Sequence, residues 1–515
     1  MNPEVLLPPG TRRCCMSPLA LVRESTFEYC FGAFTRSNHE YELKTVPPDS
    51  SASPRVAAIS EQTAYNLRYL TGVALVAAAG GFMFGYDLAL MAGALPFLKQ
   101  EFALSSALTG WAASSAVLGA IVGPLLGLWF ADAIGRRRTM MLSAAAFLFS
   151  TIGCSVAATI GQFAIWRVVG GMGVGLAMIS CPIYIAELSP PSLRGPLVNV
   201  IQLVDVIGIN LAVLVSYIVA DYGGGWRLMF ASQGAPVAVL ILGLLLVPES
   251  PRWLAARGRN ERALDVLKRI NGIDHARQEL AEIVADLKTS ASGPLEVLKP
   301  YCRKPLQVGI ILMIFSQVNG VNLILLYGPM ILHDAGISFG ANSVLTALPT
   351  YLTILIATII SFPLIHRFSR RGLLIASTLA MSCSHLLMAA LLALHAPALS
   401  VLAPMMLGAA SFTLGLAPLS WIIVSEMFPN RVRSQGLAIA CAFLFGSSFL
   451  VAQLFPMVVD WLQRTMGTTA GIYVVFATVC LSCALFAWRV MPETKGLSLE
   501  AIGEFWRARA AARTA

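Results

Sequence analysis

The sequence predicts an all-α membrane protein with twelve transmembrane helices in two six-helix halves. Three observations carry this. The chain of 515 residues is 57% hydrophobic and only 12% charged, whereas soluble domains carry about 25% charged residues. Its apolar residues fall in blocks long enough for spanning helices, which need about 20 residues each. The second half of the chain also repeats marks of the first. This composition excludes a soluble enzyme. No GxxxxGK[ST] loop is present, which argues against an ATP-driven pump.

The elements follow in order. Residues 1–69 are polar, carry Pro8-Pro9 and Pro47-Pro48, and lack a cleavable signal pattern. They read as a disordered cytoplasmic tail. Six apolar segments follow, at 70–96, 108–131, 139–159, 162–187, 197–219 and 227–247. The long charged loop 248–304 contains Glu261–Ile270, whose apolar spacing predicts a surface amphipathic helix. Six more segments lie at 305–333, 343–365, 372–394, 398–424, 435–460 and 468–491, before a tail at 492–515. The N-terminal half is thus 70–247 and the C-terminal half 305–491.

Basic residues set the orientation. Arg136, Arg137 and Arg138, then Arg367, Arg370 and Arg371, then Arg431 and Arg433 fall in loops on one side, with the long central loop. The opposite side holds little beyond Lys99, Arg227 and Arg464. The positive-inside rule places both termini and the central loop in the cytoplasm. The net charge of +9 is therefore a membrane bias, and no aromatic–basic array points to nucleic acid. The ten cysteines show no metal-ligand spacing. Six lie in apolar segments, where packing explains them. Cys14 and Cys15 are a weak acylation signal. His333, His385 and His395 are read as lone side chains without partners. No metal or cofactor is expected.

The repeat is internal. Offsets of 234, 239 and 244 residues separate Asp132 from His366, Glu187 from Glu426 and Glu249 from Glu493. Two related halves are the architecture that permits alternating access around a midplane site.

Seven motifs together resemble the sugar porter family of the major facilitator superfamily, which holds bacterial proton symporters and animal glucose facilitators. They are GFMFGYD (81–87), ADAIGRRRT (131–139), Arg167–Leu176, PIYIAELSPPSLRG (182–195), PESPRWL (248–254), SEMFPNRVR (425–433) and PETKG (492–496). The resemblance implies the major facilitator fold, a central site, and transport of a monosaccharide or polyol across a lipid bilayer.

The charged motifs predict a cytoplasmic gate. Asp132, Arg136, Glu187, Arg194 and Glu249 belong to the first half. Arg370, Arg371, Glu426, Arg433 and Glu493 belong to the second. Arg–carboxylate pairs there are expected to form as the halves close and break as they open. His366 stands where the family usually has Asp, and Ser369 and Ser434 replace glycines. The second latch is therefore expected to be weaker or pH-sensitive.

Asp87 is an acid inside the first span, which marks it as a functional candidate. Counting residues from the outer helix ends puts Asp87 and Arg167 roughly 14 and 8 Å deep. The two are expected to pair. Protonation of Asp87 would break the pair and couple proton uptake to rearrangement. Proton symporters of the family resemble this chain in an aspartate after GY. Gln233 stands where one such symporter has a second acid.

A sugar needs hydrogen-bonding side chains and an apolar or aromatic face, and neutral amides both donate and accept. The family pattern carries over to Gln202, Gln317, Asn322 and Trp421, with Phe84 as the aromatic candidate. Ser316 replaces the first of paired glutamines, Leu326 replaces a tyrosine, and Asn319 is an additional amide. Phe443, Leu444 and Phe445 fall where a glutamine–tryptophan pair occurs. These changes imply altered or looser selectivity. Asp205, three residues after Gln202, either binds a substrate hydroxyl or supplies a second titrating acid. The leading reading is a proton-coupled importer of a monosaccharide or polyol. The alternatives are a uniporter and a non-transporting sugar sensor.

Overall fold

The computed structural model describes residues 66–289, 296–334, 341–394, 396–428, 432–491 and 493. The expectations for residues 1–65 (Cys14, Cys15 and Cys30 included), for Arg431 and His395, and for all of the C-terminal tail but Glu493 lie outside the described residues.

Among the described residues all regular structure is helical, and 12 helices are long and apolar enough to cross a membrane. Spans 1 to 6 are Leu67–Glu101, Ser106–Ile134, Arg136–Val156, Ile160–Leu188, Pro191–Asp221 and Trp226–Leu246. Spans 7 to 12 are Cys302–Gly328, Ala341–Arg367, Arg370–Ala393, Ser400–Met427, Arg433–Met466 and Ala470–Val490. The expected segments are all helical, with ends displaced by a few residues. Caps that hydropathy does not register set those ends: Ser105 begins span 2 and Thr159 begins span 4, each accepting a backbone N–H.

The helix array has two sides. The linker side carries the start of span 1 and the loop between spans 6 and 7. The far side is opposite. The linker folds into Pro251–Ala256, Asn260–Asn271 and Ile273–Thr289. Its middle helix buries Ala263, Val266, Leu267 and Ile270, the stripe that the sequence pattern predicts. The Asn66 N–H donates to the Ile270 carbonyl at 2.9 Å, tying the linker to the start of span 1.

Spans 2 and 4 pack through glycines. A Cβ on Gly123 would lie 2.6 Å from the Gly175 Cα, so only glycine permits this separation. Three spans are interrupted near the membrane middle. Span 6 kinks at Gln233 between Trp226–Ser232 and Gly234–Leu246, where Pro236 cannot donate to the Ser232 carbonyl. Span 7 breaks at Asn319 and Gly320, with Gly320 at φ +89°. Span 10 widens into a π-helical turn over Phe412–Leu416, and Pro418 removes the N–H that Leu414 would otherwise receive. The interruptions in spans 7 and 10 lie beside the central cavity.

Candidate functional site

A central cavity of about 200 Å³ lies between spans 1, 2, 4 and 5 on one side and spans 7, 8, 10 and 11 on the other. On the far side the walls meet. Ser114 donates to Gln453 at 3.1 Å, Gln453 donates to the Ala107 carbonyl at 3.0 Å, and Asn210 donates to the Tyr351 carbonyl at 3.2 Å. On the linker side, Ile179, Ala438 and Cys441 form a small buried cluster with Leu128, Ile183, Leu437 and Trp421 around it. Both closures join the first half to the second.

Asp87 and Arg167 line the cavity. They form a buried ion pair, with side chains 5% and 3% exposed. Span 6 completes the arrangement. Its kink turns Gln233 toward Asp87, whose carboxylate accepts from Nε2 at 3.3 Å, while Thr151 donates to Gln233 Oε1 at 3.3 Å. The Arg167 guanidinium stands over the Phe230 ring, 5.4 Å from its centroid, a cation–π contact. Sequence reasoning paired Asp87 with Arg167 but missed Phe230. It treated Gln233 only as a lost acid. Pro236, three residues on, was the available signal for the kink.

The sugar-site candidates Phe84, Gln202, Gln317, Asn322 and Trp421 all line the cavity, as do Ser316 and Asp205. Gln317 and Asn322 flank the break in span 7. Asn322 Nδ2 donates to Gln317 Oε1 at 2.8 Å, leaving the Gln317 amide hydrogens for a ligand. Ser316 Oγ donates to the Met313 carbonyl at 2.7 Å, so it offers acceptor capacity. Leu326, Leu444 and Phe445 line the cavity where the sequence lost polar residues. Thr413, Ser420 and Ser448 line it as well and were not anticipated, because isolated hydroxyls in an apolar run carry no sequence signal.

Two expectations are corrected. Asn319 does not line the cavity. Its side chain donates to the carbonyls of Phe315 and Ser316 at 3.1 and 2.6 Å and accepts the Val321 N–H at 2.9 Å. It satisfies backbone groups that the break leaves unpaired. His385 is not partnerless. It is fully buried, its Nε2 lies 2.8 Å from the Asn319 carbonyl oxygen, and its ring packs against Tyr473 and Phe476. Span 9 thus holds the carbonyl freed by the break in span 7.

The charged motifs on the linker side meet differently from the expectation. Arg136 pairs with Glu187 at 2.9 Å and with Asp132 at 3.1 Å, and Arg370 pairs with Glu426. These pairs each join residues of one half. Ser250 donates to the second Glu187 oxygen at 2.5 Å. Glu249 and Glu493 also cap helices. Glu249 accepts the Arg137 N–H at 3.0 Å, and Glu493 accepts those of Arg370 and Arg371 at 3.1 and 3.2 Å. Carboxylates are favoured at these helix N-termini, where N–H groups lack partners. Ser369 caps span 9 through the Gly372 N–H at 3.0 Å. Arg194 is exposed and lies within electrostatic reach of Arg433 and of Glu279 in the linker.

The family model described as "Sugar (and other) transporter" matches residues 73–506. The chain belongs to this sugar transporter family. It is similar to the arabinose-proton symporter of Bacillus subtilis, at 34% identity over 86% of this chain and 96% of that one. It is also similar to the D-xylose-proton symporter of Escherichia coli, at 32% identity over 86% and 97%. Among solved structures, a partially occluded inward open conformation of the E. coli xylose transporter XylE superposes with a TM-score of 0.75 at 31% identity, covering 84% of this chain and 100% of that one. The protein is a multi-pass integral membrane protein of the major facilitator fold.

Proposed function

We propose that the chain imports a monosaccharide or polyol together with a proton by alternating access. The observation that carries this is the buried Asp87–Arg167 pair on the wall of the cavity. A charge pair inside a membrane protein is costly and is retained for function. Protonating Asp87 removes its attraction for Arg167 and frees spans 1 and 4 to shift. Gln202, Gln317, Asn322 and Trp421 are the sugar contacts in this reading, with Phe84 against the apolar face of the ring. Two relatives that this chain covers over 96% and 97% of their length are named as arabinose-proton and D-xylose-proton symporters, which supports the same assignment.

The segments 70–247 and 305–491 act as the two moving halves, with 248–304 as the connecting linker. Arg136–Glu187 and Arg370–Glu426 brace the linker-side helix ends within each half. The density of Arg and Lys on the linker side supports a cytoplasmic position for it and for both termini, in the cell membrane.

The test is uptake of radiolabelled pentoses and hexoses into proteoliposomes, with and without an inward proton gradient. Gradient-driven accumulation is expected in the wild type. Asp87→Asn should abolish accumulation and keep downhill exchange. Uptake that only equilibrates, and that ignores this substitution, refutes proton coupling and leaves a uniporter. No uptake of any sugar, with no signalling partner found, refutes the substrate class.

A further inference from the structure

Three charged side chains line the cavity: Asp87, Arg167 and Asp205. The first two neutralise each other. Asp205 has no ion partner among the described residues and is 9% exposed. Its Oδ2 accepts one long hydrogen bond, from Gln202 Nε2 at 3.3 Å, and its Oδ1 has no hydrogen-bond partner. Spans 1 and 5 touch here: a Cβ on Gly85 of span 1 would lie 2.1 Å from the Asp205 carbonyl oxygen and 2.7 Å from Oδ1, so the carboxyl sits against the span 1 backbone. A buried carboxylate with one long side-chain hydrogen bond, and only the Gly85 backbone besides, is a costly charge.

We infer that Asp205 is a second proton-binding group of the transport cycle, and that the Gln202 amide reports its protonation state to the sugar. This rests on the reading of the chain as a sugar–proton transporter. Ionised Asp205 can only accept, so it draws the Gln202 NH₂ group to itself. When a proton from water bonds to a carboxylate oxygen, the resulting O–H donates to Gln202 Oε1. The amide then turns over and presents both N–H groups to the cavity. Loss of the proton to water on the other side reverses the flip. Sugar binding and proton binding therefore favour each other at one amide. The other ionisable groups around Asp205 are accounted for. Asp87 and Arg167 are paired, the Tyr86 hydroxyl is shared with Ser232, and Tyr351 of span 8 donates to the Leu325 carbonyl. Gln317 and Asn322 across the cavity carry no charge. Asp205 acts through Gln202 and is a positioning residue.

The experiment is counterflow of radiolabelled D-xylose or L-arabinose without a proton gradient, between pH 5.5 and 8.5, in the wild type and in Asp205→Asn, so that the Asp87–Arg167 pair stays intact. The wild-type apparent KM is expected to rise as pH rises, and Asp205→Asn to reduce that rise by about two- to tenfold, the worth of one hydrogen bond. A wild-type KM independent of pH overturns the inference, as does an equal rise in Asp205→Asn. A companion measurement needs only the wild type and Asp205→Asn. Titration calorimetry of D-xylose binding in two buffers of different ionisation heat should show proton uptake that Asp205→Asn diminishes; equal uptake overturns the inference. Failure of the transport reading is distinguishable, because the wild type then shows no counterflow of either sugar, and the inference falls with it.

Discussion

Removing either member of the Asp87–Arg167 pair should destabilise the protein, but with different responses to pH. Both side chains are at most 5% exposed, so solvent screening is slight. Deleting one partner of a buried pair costs about 3–5 kcal/mol, because the other charge is left unpaired. Asp87→Asn keeps an oxygen that accepts from Arg167, and a neutral hydrogen bond is worth about 1 kcal/mol. The net loss should be about 2–4 kcal/mol. The contact with Phe230 at 5.4 Å is present before and after, so it does not change the difference. Arg167→Gln leaves a carboxylate instead. That group can take a proton, whereas a guanidinium stays charged at any working pH. Its loss should therefore match that of Asp87→Asn at pH 8 and shrink toward acid by up to about 1.4 kcal/mol per pH unit. The assay is thermal unfolding of the detergent-solubilised protein followed by intrinsic fluorescence, from pH 5 to 8. Losses below about 1 kcal/mol in both variants, or an Arg167→Gln loss that ignores pH, would refute the assignment of a buried charged pair.

Other outcomes follow from the same structure. Gly320→Ala should lose about 1–2 kcal/mol from its positive φ alone, and more because a Cβ would lie 2.5 Å from the Phe476 ring; unchanged unfolding and transport would contradict a fixed break in span 7. Arg136→Ala should lower the unfolding midpoint by the loss of a charge-assisted bond, about 1.5–3 kcal/mol, without shifting thiol-label accessibility between the two sides. A latch between the halves would shift it. In the linker, burial and the neighbouring Glu282 raise the Glu279 carboxyl above its usual range, against the pull of Asn271 and Arg194. An acid raised on folding contributes stability below its unfolded pKa and loses it as pH climbs through the folded one. Glu279→Gln should thus raise the unfolding midpoint at pH 7–8 relative to the wild type and change it little at pH 4, which calorimetry can check.

Much of this molecule is legible in one dimension. Twelve apolar blocks specify twelve helices, because a backbone in lipid must satisfy its own hydrogen bonds. Lone charges in such blocks stand out, so Asp87, Arg167 and Asp205 were visible, and helix rise put the first two at similar depth. The amides Gln202, Gln317 and Asn322 were found by pattern, and all three line the cavity. What stayed hidden depends on how helices turn and bend against one another. Asn319 and Asn322 are the same residue type three positions apart, yet one repairs the broken backbone and the other faces the cavity, because the bend at Gly320 lies between them. Glu249 and Glu493 read as partners for arginine side chains, but the ends of spans 3 and 9 present bare N–H groups to them first. Gln233 reaches Asp87 only through the kink in span 6. Composition and period alone determine which segments cross the membrane and which charges are buried. The partner of each buried group was decided by tertiary structure, since hydrogen bonds are short and directional and a small rotation of a helix changes which side chain comes within reach.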